Sequence, residues 1–169
     1  MKQKRSQIYF FITLFVLFNQ LDLYSQSNDN TTQFGISASF QRGQVDILLP
    51  IKFSSMVIAP IIGIVSFSEL ATDFHFGLKE RFYFNSSKTR PYFGLAQLLY
   101  ILAPNGGETI TDFAFGIAMG GEHFFDESFS IGIEGQLNIS ISDKESIRFG
   151  TPGKTNLNTY GSVFASIYF

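Results

Sequence analysis

The chain of 169 residues has no cysteine and no tryptophan, only 5 prolines and 2 histidines, and charged residues make up only 15% of it. Each shortage closes a class of function. Without cysteine there is no disulfide framework, no thiolate metal site, no cysteine nucleophile and no lipoprotein acceptor. Soluble proteins average about a quarter charged residues. Low charge beside 45% hydrophobic content excludes an intrinsically disordered tail, which needs the reverse. A net charge of −2 gives no electrostatic basis for binding nucleic acid. Neither His75 nor His123 falls in a metal-ligand spacing such as His-Glu-x-x-His, so no metal and no cofactor is expected. What the chain has in excess is phenylalanine, 21 copies of it. Its length suits one domain.

Lys2, Lys4 and Arg5 form a basic start, and Ile8 to Phe18 runs apolar except for Thr13. Asn19, Gln20 and Asp22 end that run, and the small Ser25 follows. This is the order of a secretory signal peptide. The apolar run is much shorter than the roughly 20 residues of a transmembrane helix. Cleavage is expected near Ser25–Gln26, making residues 1–25 a leader.

The remainder alternates with period two, the signature of strands. Phe34, Ile36, Ala38 and Phe40 fall on one face, with Gly35, Ser37, Ser39 and Gln41 on the other. Val45, Ile47, Leu49, Ile51 and Phe53 oppose Gln44, Asp46 and Lys52. Phe74, Phe76, Leu78, Phe82 and Phe84 oppose Asp73, His75, Gly77, Lys79, Arg81 and Tyr83. Phe113 to Met119, Phe129 to Ile141 and Val163 to Phe169 repeat the pattern. Residues 56–67 and 91–103 are apolar on both faces, so their orientation stays open. Pro50 and Pro60 each remove a ladder donor and leave the edges of the second and third strands open. Eight strands result, joined by short connections and by one long polar stretch, Ser142 to Asn158.

The bulky face decides between a soluble and a membrane barrel. A soluble barrel turns its large apolar side chains inward, whereas a small eight-stranded lumen has room only for side chains that fill it. Here one face is Phe, Ile, Leu and Val, and the other is largely Gly, Ser, Ala, Asn and single charges. A band of Phe and Ile suits lipid, where closing the sheet also pairs every backbone group. The expected fold is all-β: an eight-stranded antiparallel up-and-down transmembrane β-barrel. A soluble lipocalin-like binding barrel requires the opposite sidedness.

Gly120-Gly121-Glu122-His123-Phe124-Phe125 is followed by Phe129-Ser130-Ile131-Gly132, and Leu78 to Phe84 leads through a polar turn to Pro91-Tyr92-Phe93-Gly94. On these motifs rests a resemblance of residues 32–169 to the small bacterial outer-membrane β-barrel family of OmpA/OmpX type. It rests also on the end of the chain, where Val163, Ala165, Ile167 and Phe169 step by two to a final aromatic. It implies that this last row is an assembly signal read by the barrel assembly machinery. It further implies location in the outer membrane, lipid as the surrounding partner, and residues 26–31 as a short periplasmic lead-in. No further domain is expected after the barrel. The longest loop, Ser142–Asn158, then lies outside the cell, with Ser54-Ser55, Asn85–Arg90 and Asp126–Ser128 as periplasmic turns. With no Trp, Tyr83, Tyr92, Tyr100, Tyr160 and Tyr168 are expected to form the interfacial belts.

The expected lumen carries Asp46, Lys52, His75, Lys79, Arg81, Asp112, Glu134 and Gln136. Buried charges need partners, so Lys79 and Arg81 are expected to pair with Glu134 or Asp112 in a plug of structural character. Glu122 and His123 are placed at the inner rim. Gly116 to Gly121 reads as a small lumen row. Glu80 falls on the otherwise apolar row, near the periplasmic end or turned inward by a bulge. Asp73 and His75 carry no family motif for lipid-A chemistry, and no enzyme is expected. The function expected is structural or surface-interactive, with a narrow solute pore as the alternative. No surface partner is legible.

Overall fold

Eight antiparallel strands, each pairing with the next, make up the computed structural model, which describes residues 32–41, 44–67, 71–104 and 107–169. They are β1 (Gln33–Gln41), β2 (Gln44–Leu48 and Ile51–Lys52), β3 (Met56–Phe67), β4 (Ala71–Tyr83), β5 (Thr89–Pro104), β6 (Ile110–Phe124), β7 (Phe129–Ile141) and β8 (Thr155–Tyr168). The ring closes where β8 pairs with β1, from Gly35 opposite Tyr168 to Gln41 opposite Ser162. The leader, the lead-in and the connection at Arg42-Gly43 lie outside the described residues.

β2 is one strand despite its interruption. Leu48 faces Ser37 and Lys52 faces Gln33 in an unbroken register with β1. Pro50 removes one N–H from that ladder, yet its carbonyl still accepts from the Gly35 N–H at 2.9 Å. Pro60 does the same toward β2, accepting from Leu49 N at 3.0 Å. The prolines thin the ladder without shifting it. A register shift between Ile64 and Ser66 is the bulge between β3 and β4.

Parity sorts the side chains. Phe34, Ile36, Phe40, Val45, Ile47, Phe76, Phe113, Ile117, Ile139 and Ile167 are exposed on the outside, where Met119 is 70% and Ile133 65% exposed. Ser37, Ser39, Asp46, Lys79, Arg81, Glu134, Asn138 and Ser166 are buried inside. A soluble barrel would show the reverse. The two segments left open also sort: Val57, Ala59 and Ile61 of β3 and Tyr92, Ala96, Leu98 and Tyr100 of β5 turn inward. Their apolar lumen side chains pack with Leu48, Ala114 and Phe164, so no polar residue marked their inner face.

The two rims differ. Short turns after β2, β4 and β6 share one end with the start of β1 and the end of β8. At the other end the 13 residues between β7 and β8 form a folded loop. Gly150 and Gly153 of this loop have φ of 119° and 65°, a backbone region that side-chain-bearing residues rarely adopt.

Candidate functional site

Successive inward residues of β4 mark depth in the lumen: Asp73 nearest the long loop, then His75, Lys79, Arg81 and Tyr83 at the short-turn end. Each meets a different layer.

The deepest layer is built on Glu122. Its carboxylate accepts from Arg81 Nη1 at 3.3 Å, from the Tyr83 and Ser130 hydroxyls, and from the Tyr168 hydroxyl at 3.2 Å. Above it Glu134 accepts from Lys79 Nζ at 2.8 Å, from the Tyr92 hydroxyl at 2.9 Å and from the Gln136 amide. Arg81 lies between the two carboxylates, its Nε 4.0 Å from Glu134, and its guanidinium stacks over Phe164 at 3.8 Å. Desolvating such charges costs several kcal/mol each unless every lone pair and proton finds a partner. Here each carboxylate has at least three donors, which offsets part of that cost, while Arg81 Nε has no hydrogen bond and only the Glu134 charge beside it. Glycine makes the room: a Cβ on Gly120 would come within 2.5 Å of the Tyr92 hydroxyl.

Toward the long loop the packing opens. Asp46 accepts from Gln41 at 2.9 Å and Gln44 at 2.7 Å, and His75 Nε2 lies 3.1 Å from it. Over this layer lies a cavity of about 150 Å³ bordered by Gln136, Asn138 and Tyr160, with Lys79 below and Arg148 and Phe149 above. Its roof is the β7–β8 loop. Asp112 accepts from the Asp143 N–H at 2.7 Å and from the Ser146 hydroxyl. Arg148 bonds Asp73, reaches Asp112 at 3.5 Å and stacks over Tyr100 at 4.8 Å.

At the opposite mouth Lys52 donates to Gln33 at 2.7 Å and sits over the rings of Phe124 and Tyr168. A second cavity, about 230 Å³, opens there beside Lys88 and Arg90. Arg81, Glu122, Tyr83, Tyr92, Phe164 and Tyr168 border neither cavity. They form the layer between them.

All eight expected lumen residues lie inside, but the pairing differs in part. Asp112 meets neither Lys79 nor Arg81; the loop residue Arg148 takes it. Glu122, near the short-turn end of β6, turns inward and is fully buried, because it shares the parity of Asp112 and Ala118. His123, the next residue, does sit at the rim, accepting or donating a bond to Thr89 at 2.7 Å. Tyr83, Tyr92, Tyr100 and Tyr168 are buried in the lumen and Tyr160 packs against them, so they form no interfacial belt. Tyr83 and Tyr168 already stand on inward rows of the alternation, whereas Tyr92 and Tyr100 lie in a strand whose faces the sequence leaves open. Exposed Phe34, Phe53, Phe84, Phe125 and Phe169 ring the short-turn end instead. Asp73 and His75 turn to separate partners, Arg148 and Asp46, and assemble no nucleophile–base pair. Among the described residues no three metal-ligating side chains cluster. Gly116, Ala118 and Gly120 form the small inward row, and Gly121 points outward. Glu80 is not flipped, since the bulge lies elsewhere; it stays on the outer row, bonded by Gln97.

The sequence matches no family model and no curated protein. Among solved structures the chain is similar to the crystal structure of Neisserial surface protein A, with a TM-score of 0.54 and 13% identity over 82% of this chain and 96% of that one. It is similar also to the N-terminal β-barrel domain of Pseudomonas aeruginosa OprF, with a TM-score of 0.57 and 11% identity over 83% and 98%. Both are eight-stranded outer-membrane barrels. The fold is that of the small outer-membrane barrels. At such identities the likeness extends to the fold alone, and the lumen layers are described from this chain's own residues.

Proposed function

We propose that this chain is an integral outer-membrane barrel, closed to solutes, whose role is structural or interactive at the cell surface. The observation that carries the reading is the Arg81–Glu122 layer, which separates the two cavities inside a wall whose outer face is Phe, Ile and Leu. In this reading residues 1–25 are a cleaved leader, and the short-turn end faces the periplasm. The outward row Val163, Ala165, Ile167 and Phe169 serves the barrel assembly machinery, and lipid surrounds the wall.

The β7–β8 loop supports a surface role. It is pinned by Asp112 and by Asn156, whose amide donates to Ser142 Oγ at 3.0 Å and Thr151 O at 3.1 Å. Thus ordered, it presents Ile147 at 81% exposure. An ordered loop costs a partner less entropy on binding than a floppy one.

Planar-bilayer recording of refolded protein tests the closed lumen. No steady unitary conductance is expected, and a defined step current establishes the narrow pore instead. Orientation has a separate test. Because the chain lacks cysteine, Ile147→Cys supplies a unique thiol, which a membrane-impermeant maleimide is expected to label on intact cells. Labelling only after lysis reverses the orientation.

A further inference from the structure

One feature of the outer wall is unexplained by a lone barrel in lipid. Glu80 lies on the outward row of β4, between Leu78 and Phe82 along the strand and opposite Ile58 and Leu95 across it. Gln97 lies on the outward row of β5, opposite Leu78 and Phe115. Gln97 Nε2 is 3.1 and 3.2 Å from the two Glu80 carboxylate oxygens. A carboxyl and an amide thus sit together in the middle of an apolar patch. Acyl chains offer neither group a hydrogen bond, and ionisable side chains at membrane depth are costly and mark a partner.

The pair is self-complementary. The two oxygens of one carboxylate lie too close together to be reached by both widely diverging N–H bonds of one amide nitrogen. A single N–H therefore serves both, and the amide keeps a second N–H and its carbonyl oxygen. The carboxyl keeps acceptor capacity, and in its uncharged form, the one an apolar surrounding favours, it adds an O–H donor. Each half can thus satisfy the same pair on an identical surface. Two barrels inserted in the same direction are related by a two-fold axis along the membrane normal, and such an interface brings like patches together. We propose that the Glu80–Gln97 patch is the contact between two copies of this chain in the membrane. Each Gln97 donates to its own Glu80 and to that of the second copy. The surrounding Ile58 and Leu78, both partly exposed, supply the packing.

The inference rests on the reading that the outer face meets lipid, and the experiment separates the two. Leu78→Cys and, on the far side of the barrel, Ile133→Cys are each refolded into phosphatidylethanolamine–phosphatidylglycerol vesicles and oxidised. Leu78→Cys is expected to yield a disulfide-linked dimer and Ile133→Cys none. Adding Glu80→Leu or Gln97→Leu to Leu78→Cys is expected to weaken association about fivefold, the order of one intramembrane hydrogen bond. The same substitutions should leave each barrel's own urea stability unchanged or raised, because a polar group leaves the lipid face. Cross-linking at 133 as readily as at 78, dimers indifferent to Glu80 and Gln97, or barrels destabilised by their loss overturn the proposal. So does capture of a different membrane protein at position 78 in cells. Failure to insert, read as loss of the gel-mobility difference between unheated and boiled samples, overturns the membrane reading instead.

Discussion

The two halves of the lumen use the same residue types to different ends. In the half near the short turns, Arg81, Glu122, Tyr83 and Tyr168 all come from strands. Their backbones are pinned by ladders on both sides, and aromatic rings fill the space between them. In the half near the long loop, Asp112 and Asp73 also come from strands, but their cation, Arg148, is delivered by the loop. A cavity remains beneath it. Strand-borne charges make a seal; a loop-borne charge makes a latch. The difference lies in who supplies the partner, since an ion pair is only as fixed as the less constrained of its two backbones.

Substitutions can sharpen or break that contrast. The largest effect is expected for Glu122→Ala, which leaves buried Arg81 only the longer pair with Glu134 and removes the acceptor of three hydroxyls. A loss of about 3–5 kcal/mol is expected in urea unfolding from vesicles, and conductance steps should appear where the parent shows none. If the variant stays both stable and silent, the layer is not the seal. Tyr92→Phe is next. It takes one of three donors from buried Glu134, for about 1–2 kcal/mol, and should leave the lumen closed.

Arg148→Ala should cost about 1 kcal/mol, because Asp112, though buried, keeps the Asp143 N–H and the Ser146 hydroxyl as donors. Its mark is local: faster proteolysis within the β7–β8 loop and still no conductance. An Arg148→Ala channel would erase the distinction between latch and seal. The smallest effect is expected at Asp126, in the turn after β6, where the Ser128 hydroxyl and the Ser128 and Phe129 N–H groups hold the carboxyl below its ordinary value. The contribution of a depressed carboxyl is present above its ordinary value of 3.8 and fades as pH falls through the folded value. The difference in unfolding midpoint between the parent and Asp126→Ala should therefore shrink at acid pH. A gap that widens on acidification has the wrong sign and rejects the cap.

Much of this was legible residue by residue. The inward positions of Asp46, Lys79, Arg81, Asp112 and Glu134 follow from counting by two. So does the outward coat of Phe and Ile. The tyrosines were misplaced at the membrane interfaces for want of Trp, although Tyr83 and Tyr168 already stood on the inward rows. Glu122 was not counted among the lumen residues, although it stands on the same inward row as Asp112. β3 and β5 could not be oriented, since Val57, Ile61 and Leu98 are lumen residues as apolar as any on the outer wall.

By itself the sequence determined strand identity and, outside β3 and β5, sidedness, because the pleat alternates locally with period two and needs no knowledge of the rest of the chain. Only the closed ring decided who meets whom. Glu122 of β6 reaches Arg81 of β4, and Arg148 reaches Asp73 and Asp112, across sequence distances that no local period spans. Those meetings depend on the stagger with which eight tilted strands close. That stagger is a property of all the ladders together, fixed only when β8 finds β1.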